Sequence, residues 1–401
     1  MHRILDIGTK CISACGLALV IGIPSGGAHA TDGYRTIHRF EGGANDGSDP
    51  SAGVIPDSMG NLYGTTYWGG GTGCGGSGCG ILFKLTPSGG KWIETVLYVF
   101  SGGSDGGLPV SVPHLTMDAS GNLYGTTFQG GQYGDGVVFE FGKNGEQTLY
   151  SFKGGRDGAN PWAAPIFDRK GNLYGTTTAG GTNNEGTVYK LGPHGEDVLH
   201  SFGEGTDGNF PADGLIADKN GNFYGTTQFG GSGGHGTVFE ITPQGAETVL
   251  YHFTGGNDGS QPGGALLQDK AGNFYGTTFK GGTHSDGTVF ELGQSNGTWS
   301  ETPLYSFTDN LDGANPYATL VSDKAGNLYG TTESGGVAGL GVVFKLAPDG
   351  TETVRHSFKG GTDGGEPFEG VTFNTDGFLY GATSVSGTLD CGCGTVFKVK
   401  P

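Results

Sequence analysis

One seven-residue word, Gly-Asn-Leu-Tyr-Gly-Thr-Thr, constrains the fold of this chain more tightly than any other feature. It or a near copy begins at Gly60, Gly121, Gly171, Gly221, Gly272 and Gly326, and a diverged copy, Gly-Phe-Leu-Tyr-Gly-Ala-Thr, begins at Gly377. The intervals are 61, 50, 50, 51, 54 and 51 residues. A period near 50 residues is that of a propeller blade and exceeds most solenoid units. Seven copies without an intervening linker predict an all-β, seven-bladed β-propeller over residues 31–401 as a single domain.

Each repeat reads as four strands, here a to d. In the third copy an apolar stretch around Ala164–Phe167 is followed by Asn172–Thr177, Gly186–Leu191 and Asp197–Phe202. Each run is rich in β-branched and aromatic residues and is bounded by Gly, Pro or Asn. The a–b turn repeats as Asp-x-x-Gly at Asp57, Asp118, Asp168, Asp218, Asp269 and Asp323, with Asn374 in the last copy. An Asx side chain bonds the turn backbone while Gly takes the left-handed position, so a tight hairpin accounts for this pattern. The c–d link is also short, whereas the b–c loop is long and rich in Gly. High Gly, 86 of 401 residues, would suggest low complexity if it did not recur at fixed places beside buriable Leu, Tyr, Val and Phe.

Strand d leads to the next blade through Asp-Gly-x-x-Pro, at Asp46, Asp105, Asp157, Asp207, Asp258, Asp312 and Asp363. A residue repeated sevenfold at fixed spacing reads as a structural connector, with Asp bonding loop amides and Pro stiffening the approach to strand a. The competing reading is calcium, because Asn45-Asp46-Gly47-Ser48-Asp49 is dense in oxygen donors. No carboxylate closes such a loop as an EF-type site requires, so no metal or cofactor is assigned. Tyr34–Phe40 aligns with the d strands ending at Phe100, Phe152, Phe202, Phe253, Phe307 and Phe358, while the chain finishes on a c strand, Gly394–Lys400. The N-terminal segment is therefore expected to supply the missing d strand of blade seven, removing the free sheet edges.

Residues 1–30 read as a secretory signal peptide: Arg3 and Lys10, a 13-residue apolar run from Cys11 to Ile23, and Ala28-His29-Ala30 as the cleavage pattern. The run is shorter than the roughly 20 residues that span a bilayer, so membrane insertion is not expected and the protein reads as secreted, extracellular or periplasmic. In an exported chain, Cys74, Cys79, Cys391 and Cys393 read first as disulfides. Cys74–Cys79 forms a reasonable local bridge, and cross-pairing between the neighbouring blades one and seven stays open. A four-thiolate zinc site is the alternative, although one pair is separated by a single residue. With 21 Lys and Arg against 39 Asp and Glu, a net charge of −18 argues against nucleic acid. A monomer is expected.

The phrase GNLYGTT, then GG, GTVFKL, P-G, TVLYSF, GG-DG and P, over residues 34–401, resembles the repeat of the GloVer tandem-repeat proteins, exported bacterial chains. The resemblance implies a propeller and an extracellular setting and carries no reaction or catalytic residue. The order Pro, apolar strand, Asp-x-x-Gly-Asn-Leu-Tyr is more distantly similar to NHL-type propellers, whose blades often serve binding. Kelch repeats share the period but carry a late Trp that is missing here.

Chemistry on such a scaffold lies where the blades differ. The b–c and d–a loops share one face, and aromatics there, with Trp68, Trp162, Phe229 and Tyr317 as the candidate ligand-binding set, would suit a glycan or apolar peptide if exposed at the mouth. The blander reading packs these rings between blades. Asp135, Glu185, His235, Asp286 and Leu340 also vary at one equivalent position before strand c. The Gly-x-Ser-x-Gly spacing occurs only within Gly-rich loop stretches such as Gly102–Gly106 and Gly230–Gly234, not as a strand-to-helix nucleophile elbow, and no His-Glu-x-x-His or Walker loop occurs. The favoured reading is a secreted binding scaffold for an extracellular glycan, polymer or protein. The second is an extracellular propeller enzyme, a lyase or hydrolase with acid and base at the channel mouth.

Overall fold

The computed structural model describes residues 33–50, 52–385 and 392–401. The signal-peptide segment 1–30 and Cys391 lie outside the described residues. Seven antiparallel sheets follow one another in chain order. Blade one joins Ile55–Pro56, Leu62–Thr66, Ile81–Ser88 and Lys91–Val99 as strands a to d. The others repeat this order, so the fold is a seven-bladed β-propeller with four antiparallel strands per blade. Blade two has its a strand in two pieces, Gly107–Pro109 and Thr116–Met117.

The ring closes as the strand count predicts. Arg35–Arg39 pairs antiparallel with Thr395–Val399, Arg39 opposite Thr395, and so becomes strand d of blade seven.

The repeated word has a physical reading at every letter. In blade one, Gly60 has φ 83° and turns the chain. Asp57 accepts the backbone amides of Met59 and Asn61 at 2.9 Å, the Asn61 side-chain amide at 2.6 Å and the Tyr63 hydroxyl at 3.2 Å. Leu62 is fully buried. Gly64 faces the ring of Phe83 across the sheet, where a Cβ would sit 2.7 Å from Cζ, and the Thr66 hydroxyl donates to the Trp68 carbonyl at 2.8 Å. In the last copy, where Asn374 replaces the turn aspartate, Asp376 accepts the Tyr380 hydroxyl at 2.7 Å instead.

Core clusters lie between successive sheets. Phe100, at the end of strand d of blade one, packs with Leu115, Leu123 and Phe139 of blade two, its ring edge-on to Phe139 at 5.2 Å. Burial of this ring together with its aliphatic and aromatic neighbours gives each junction an apolar contribution to blade-to-blade cohesion.

Candidate functional site

Every blade carries a left-handed residue just before its connector proline: Asp49, Leu108, Asn160, Phe210, Gln261, Asn315 and Glu366, with φ between 50° and 59°. Such a conformation is uncommon outside Gly and costs backbone energy, so something must hold it. The holder is the preceding blade. The amide of each left-handed residue donates to the carbonyl of the residue two before strand c or its equivalent: Asn160 to Asp135, Gln261 to His235, Asn315 to Asp286 and Glu366 to Leu340, all at 2.8 Å. Leu108 donates to Cys79 at 2.8 Å and Asp49 to Cys393 at 3.0 Å. The variable b–c position thus contributes its backbone to the mouth of the next blade.

These turns send the following residues to the axis. Val110, Val112, Trp162, Ala212, Tyr317 and Phe368 form one buried cluster, with Tyr67, Phe128, Phe210 and Phe279 packed against it. All seven blades contribute, so the cluster sits on the propeller axis. Trp162 meets Phe128 edge-on at 5.3 Å, and Tyr317 stacks on Phe368 at 4.6 Å. Trp162 and Tyr317 are 6% and 4% exposed, which corrects the expectation of open rings around a concave mouth. They are buried at the axis rather than between blades, because rings arriving from several blades meet there and expel water. Trp68 and Phe229 remain half-buried beside the cluster, Trp68 edge-on to Tyr67 at 5.0 Å and Phe229 6.0 Å from Phe210.

Blade two closes the axis further down. Its two-piece a strand lets Val112 and Pro113 reach across, where the Val112 amide donates to the Trp162 carbonyl at 3.2 Å and the Gly53 amide of blade one donates to the Pro113 carbonyl at 2.8 Å.

Carboxylates collect around this plug. Asp213 and Glu369, each two residues after its connector proline, are 2% and 1% exposed, with Asp213 Oδ1 and both Glu369 oxygens lacking a hydrogen-bond partner. Burial lifts Asp213 to about 7. Burial, then the charge of Asp213, raises Glu369 well above the carboxylate range. Asp49 is also buried and is lifted to about 7, by burial first and the charge of Glu366 second. Glu333 and Glu366 are half-buried on the same side. The acidic groups thus come from blades one, four, six and seven, and they interleave with the aromatic and amide-bearing residues of the other turns. The sequence reading missed Asp213, Glu366 and Glu369, and took Asp49 only as an oxygen donor in a calcium loop. Their signal was variation immediately beside an invariant proline.

The connector aspartates act within their own loops. Asp105 accepts the Ser101 amide at 2.8 Å and the Tyr98 hydroxyl at 3.0 Å, and Asp258 accepts the Thr254 amide at 2.7 Å and the Tyr251 hydroxyl at 3.0 Å. Asp157 and Asp312 accept from Tyr150 and Tyr305, and Asp207 and Asp363 pair with His200 and His356. Asp46 alone takes no ring donor and accepts the Glu41 and Gly47 amides at 2.6 Å. Cys74 and Cys79 are joined in a disulfide with Cα atoms 5.2 Å apart; Cys393 is disulfide-bonded as well. The local bridge within blade one therefore replaces both cross-pairing and a zinc role for Cys74 and Cys79. Among the described residues no helix is long and apolar enough to cross a membrane.

No curated protein matches the chain in sequence. Among solved structures, the extracellular domain of a protein described as a one-component system from B. thetaiotaomicron is 13% identical, with a TM-score of 0.53 over 91% of this chain and 42% of that one. A protein described as a 6-phosphogluconolactonase from Bacteroides uniformis is 15% identical, with a TM-score of 0.48 over 77% of this chain and 84% of the other. A protein described as a gluconolactonase is 15% identical, with a TM-score of 0.43 over 73% and 87%. Similarity at this level speaks to fold alone. The family model of the Gloeobacter/Verrucomicrobia repeat matches residues 27–220 and 213–401, and the chain belongs to that repeat family.

Proposed function

We propose that the protein is an exported binding module that takes a glycan at the axial mouth of its loop-rich face. The observation that carries this reading is the ring of seven left-handed residues, which presents Asp, Leu, Asn, Phe, Gln, Asn and Glu on one repeated backbone geometry. A rigid scaffold with interchangeable side chains is what recognition uses. The chemistry suits sugars: half-buried Tyr67, Phe128, Phe210 and Phe279 offer ring surface for the apolar faces of a pyranose, while Gln261 and Glu366 can accept from or donate to hydroxyls, Asn160 and Asn315 being held by the Phe128 and Phe279 carbonyls. The Cys74–Cys79 disulfide and the Ala28-His29-Ala30 pattern favour the exported setting. Screening the mature chain on a glycan array tests the reading. Binding that Gln261→Ala and Glu366→Gln weaken without lowering the melting temperature supports it, and an array without hits removes it.

One observation favours a second reading. Asp49, lifted to about 7 by burial first and the charge of Glu366 second, has the protonation behaviour of a general acid. Release of reducing ends or unsaturated products from a polysaccharide panel, lost in Asp49→Asn, would favour a hydrolase or lyase over a binding module.

A further inference from the structure

We propose that the junction between the N-terminal strand and blade one is a binding site for one zinc-class divalent cation, held by His38, Asp46 and Glu94. The three side chains each bring one ligand atom into a group whose members all lie within 4.8 Å of one another. His38 Nε2 is 3.7 Å from Glu94 Oε2. Two ligands on a tetrahedral ion with bonds near 2.1 Å stand about 3.4 Å apart, so closing the set needs only small side-chain movements. His38 Nε2 and Glu94 Oε1 are buried atoms without a hydrogen-bond partner. Buried polar atoms are rarely left so, and a ligand is one of the few things that satisfies a nitrogen and a carboxylate oxygen together.

The site arises from a local departure from the repeat. Six connectors place Asp five residues after the d-strand Phe, as from Phe100 to Asp105, whereas Asp46 follows Phe40 by six. In those six blades the ring two residues before the Phe, Tyr or His, pairs with the aspartate, as Tyr98 does with Asp105 and His200 with Asp207 at 3.0 Å. At the connector from blade seven to blade one the extra residue turns Asp46 toward its own loop amides and leaves His38 aimed at Glu94 instead. His38 is held in place by its edge-on contact with Phe40 at 4.6 Å.

Charge points the same way. Two carboxylates face each other here, and among the described residues neither Asp46 nor Glu94 has a Lys or Arg ion pair. A dication cancels that repulsion. One nitrogen and two carboxylate oxygens select a borderline ion such as zinc over calcium, which prefers six to eight oxygens. The consequence is mechanical: His38 lies on strand d of blade seven and Glu94 on strand d of blade one, so the ion would clamp the strand that closes the ring.

The test uses the full mature chain, oxidised and stripped with a chelator, titrated calorimetrically with zinc chloride and then melted with and without zinc. The expected result is one equivalent bound per chain and a higher melting temperature. Glu94→Gln, nearly isosteric, and His38→Ala should each weaken binding at least tenfold and abolish the zinc-dependent shift, while Glu146→Gln at the next junction leaves both intact. Absence of zinc binding, zinc binding undiminished in Glu94→Gln and His38→Ala, or a larger thermal shift with calcium than with zinc overturns the proposal.

Discussion

The ring of Tyr34 lies flat on that of His356, centroids 3.4 Å apart and planes within 4°, although 322 positions separate them in the chain. The Tyr34 hydroxyl donates to the Asp363 carbonyl at 2.5 Å, and His356 itself pairs with the Asp363 carboxylate at 3.1 Å. The start of the described chain is thereby docked on blade six as well as paired within blade seven.

This contact makes closure measurable. Tyr34→Ala should destabilise the protein by about 2 kcal/mol, through lost ring burial and stacking. Deleting residues 31–41 should remove cooperative unfolding altogether, read by calorimetry. An unchanged melting profile in the deletion would mean that blade seven does not need its fourth strand.

The glycine in the middle of the repeated word offers a second check. At Gly225 a Cβ would meet Phe239 Cζ at 2.7 Å, so Gly225→Ala forces a buried ring to shift. Overpacking of this kind costs about 1–3 kcal/mol, visible as a lower denaturant midpoint with an unchanged slope.

At the axis, plug and rim should respond differently. Trp162→Ala removes a buried ring shared by several blades and should cost about 3–5 kcal/mol. Gln261→Ala keeps a non-glycine residue in the same left-handed turn and should stay within about 0.5 kcal/mol of the parent. Equal destabilisation by both would place Gln261 in the structural core.

Stability should rise as pH falls from 8 to about 6.5. Burial, with the charge of Asp258 second, lifts Glu301 to about 8; burial, then Asp312, lifts Glu352 to about 7; Asp49 and Asp213 also stand near 7. These folded values lie above the unfolded 3.8 and 4.5, so the folded state binds more protons in this window and loses stability as pH rises through it. Below about 6.5 the trend is opposed by His114, whose pKa burial lowers, and at strongly acid pH by turn aspartates such as Asp57, whose hydrogen bonds from Asn61 help hold its pKa below 3.8 despite partial burial. Melting temperatures recorded in chelator from pH 4 to 8 should peak between about 4.5 and 6.5; a monotonic rise toward pH 8 would refute the assignment.

The architecture was legible because the repeat records what each blade needs: the Asp57 turn, the Gly64 contact and the Phe100 ring recur with the sequence that makes them. Closure was legible from the same phase, through Tyr34–Phe40. The mouth was not, because distance along the chain says nothing about distance across a ring. Trp162 and Tyr317 sit 155 positions apart in sequence yet share one cluster. Their burial depends on rings from other blades, and on Val112 and Pro113 crossing from blade two, which no single repeat reveals. The special role of Asp46 was hidden likewise, since one extra connector residue matters only once Glu94 is brought opposite.

That crossing has a consequence for traffic. With Val112 and Pro113 bonded to blades three and one under a layer of aromatic rings, the described residues separate a front face from a back face across the axis. Whatever docks at the mouth must depart by the side on which it arrived, and anything held on the opposite face does so independently.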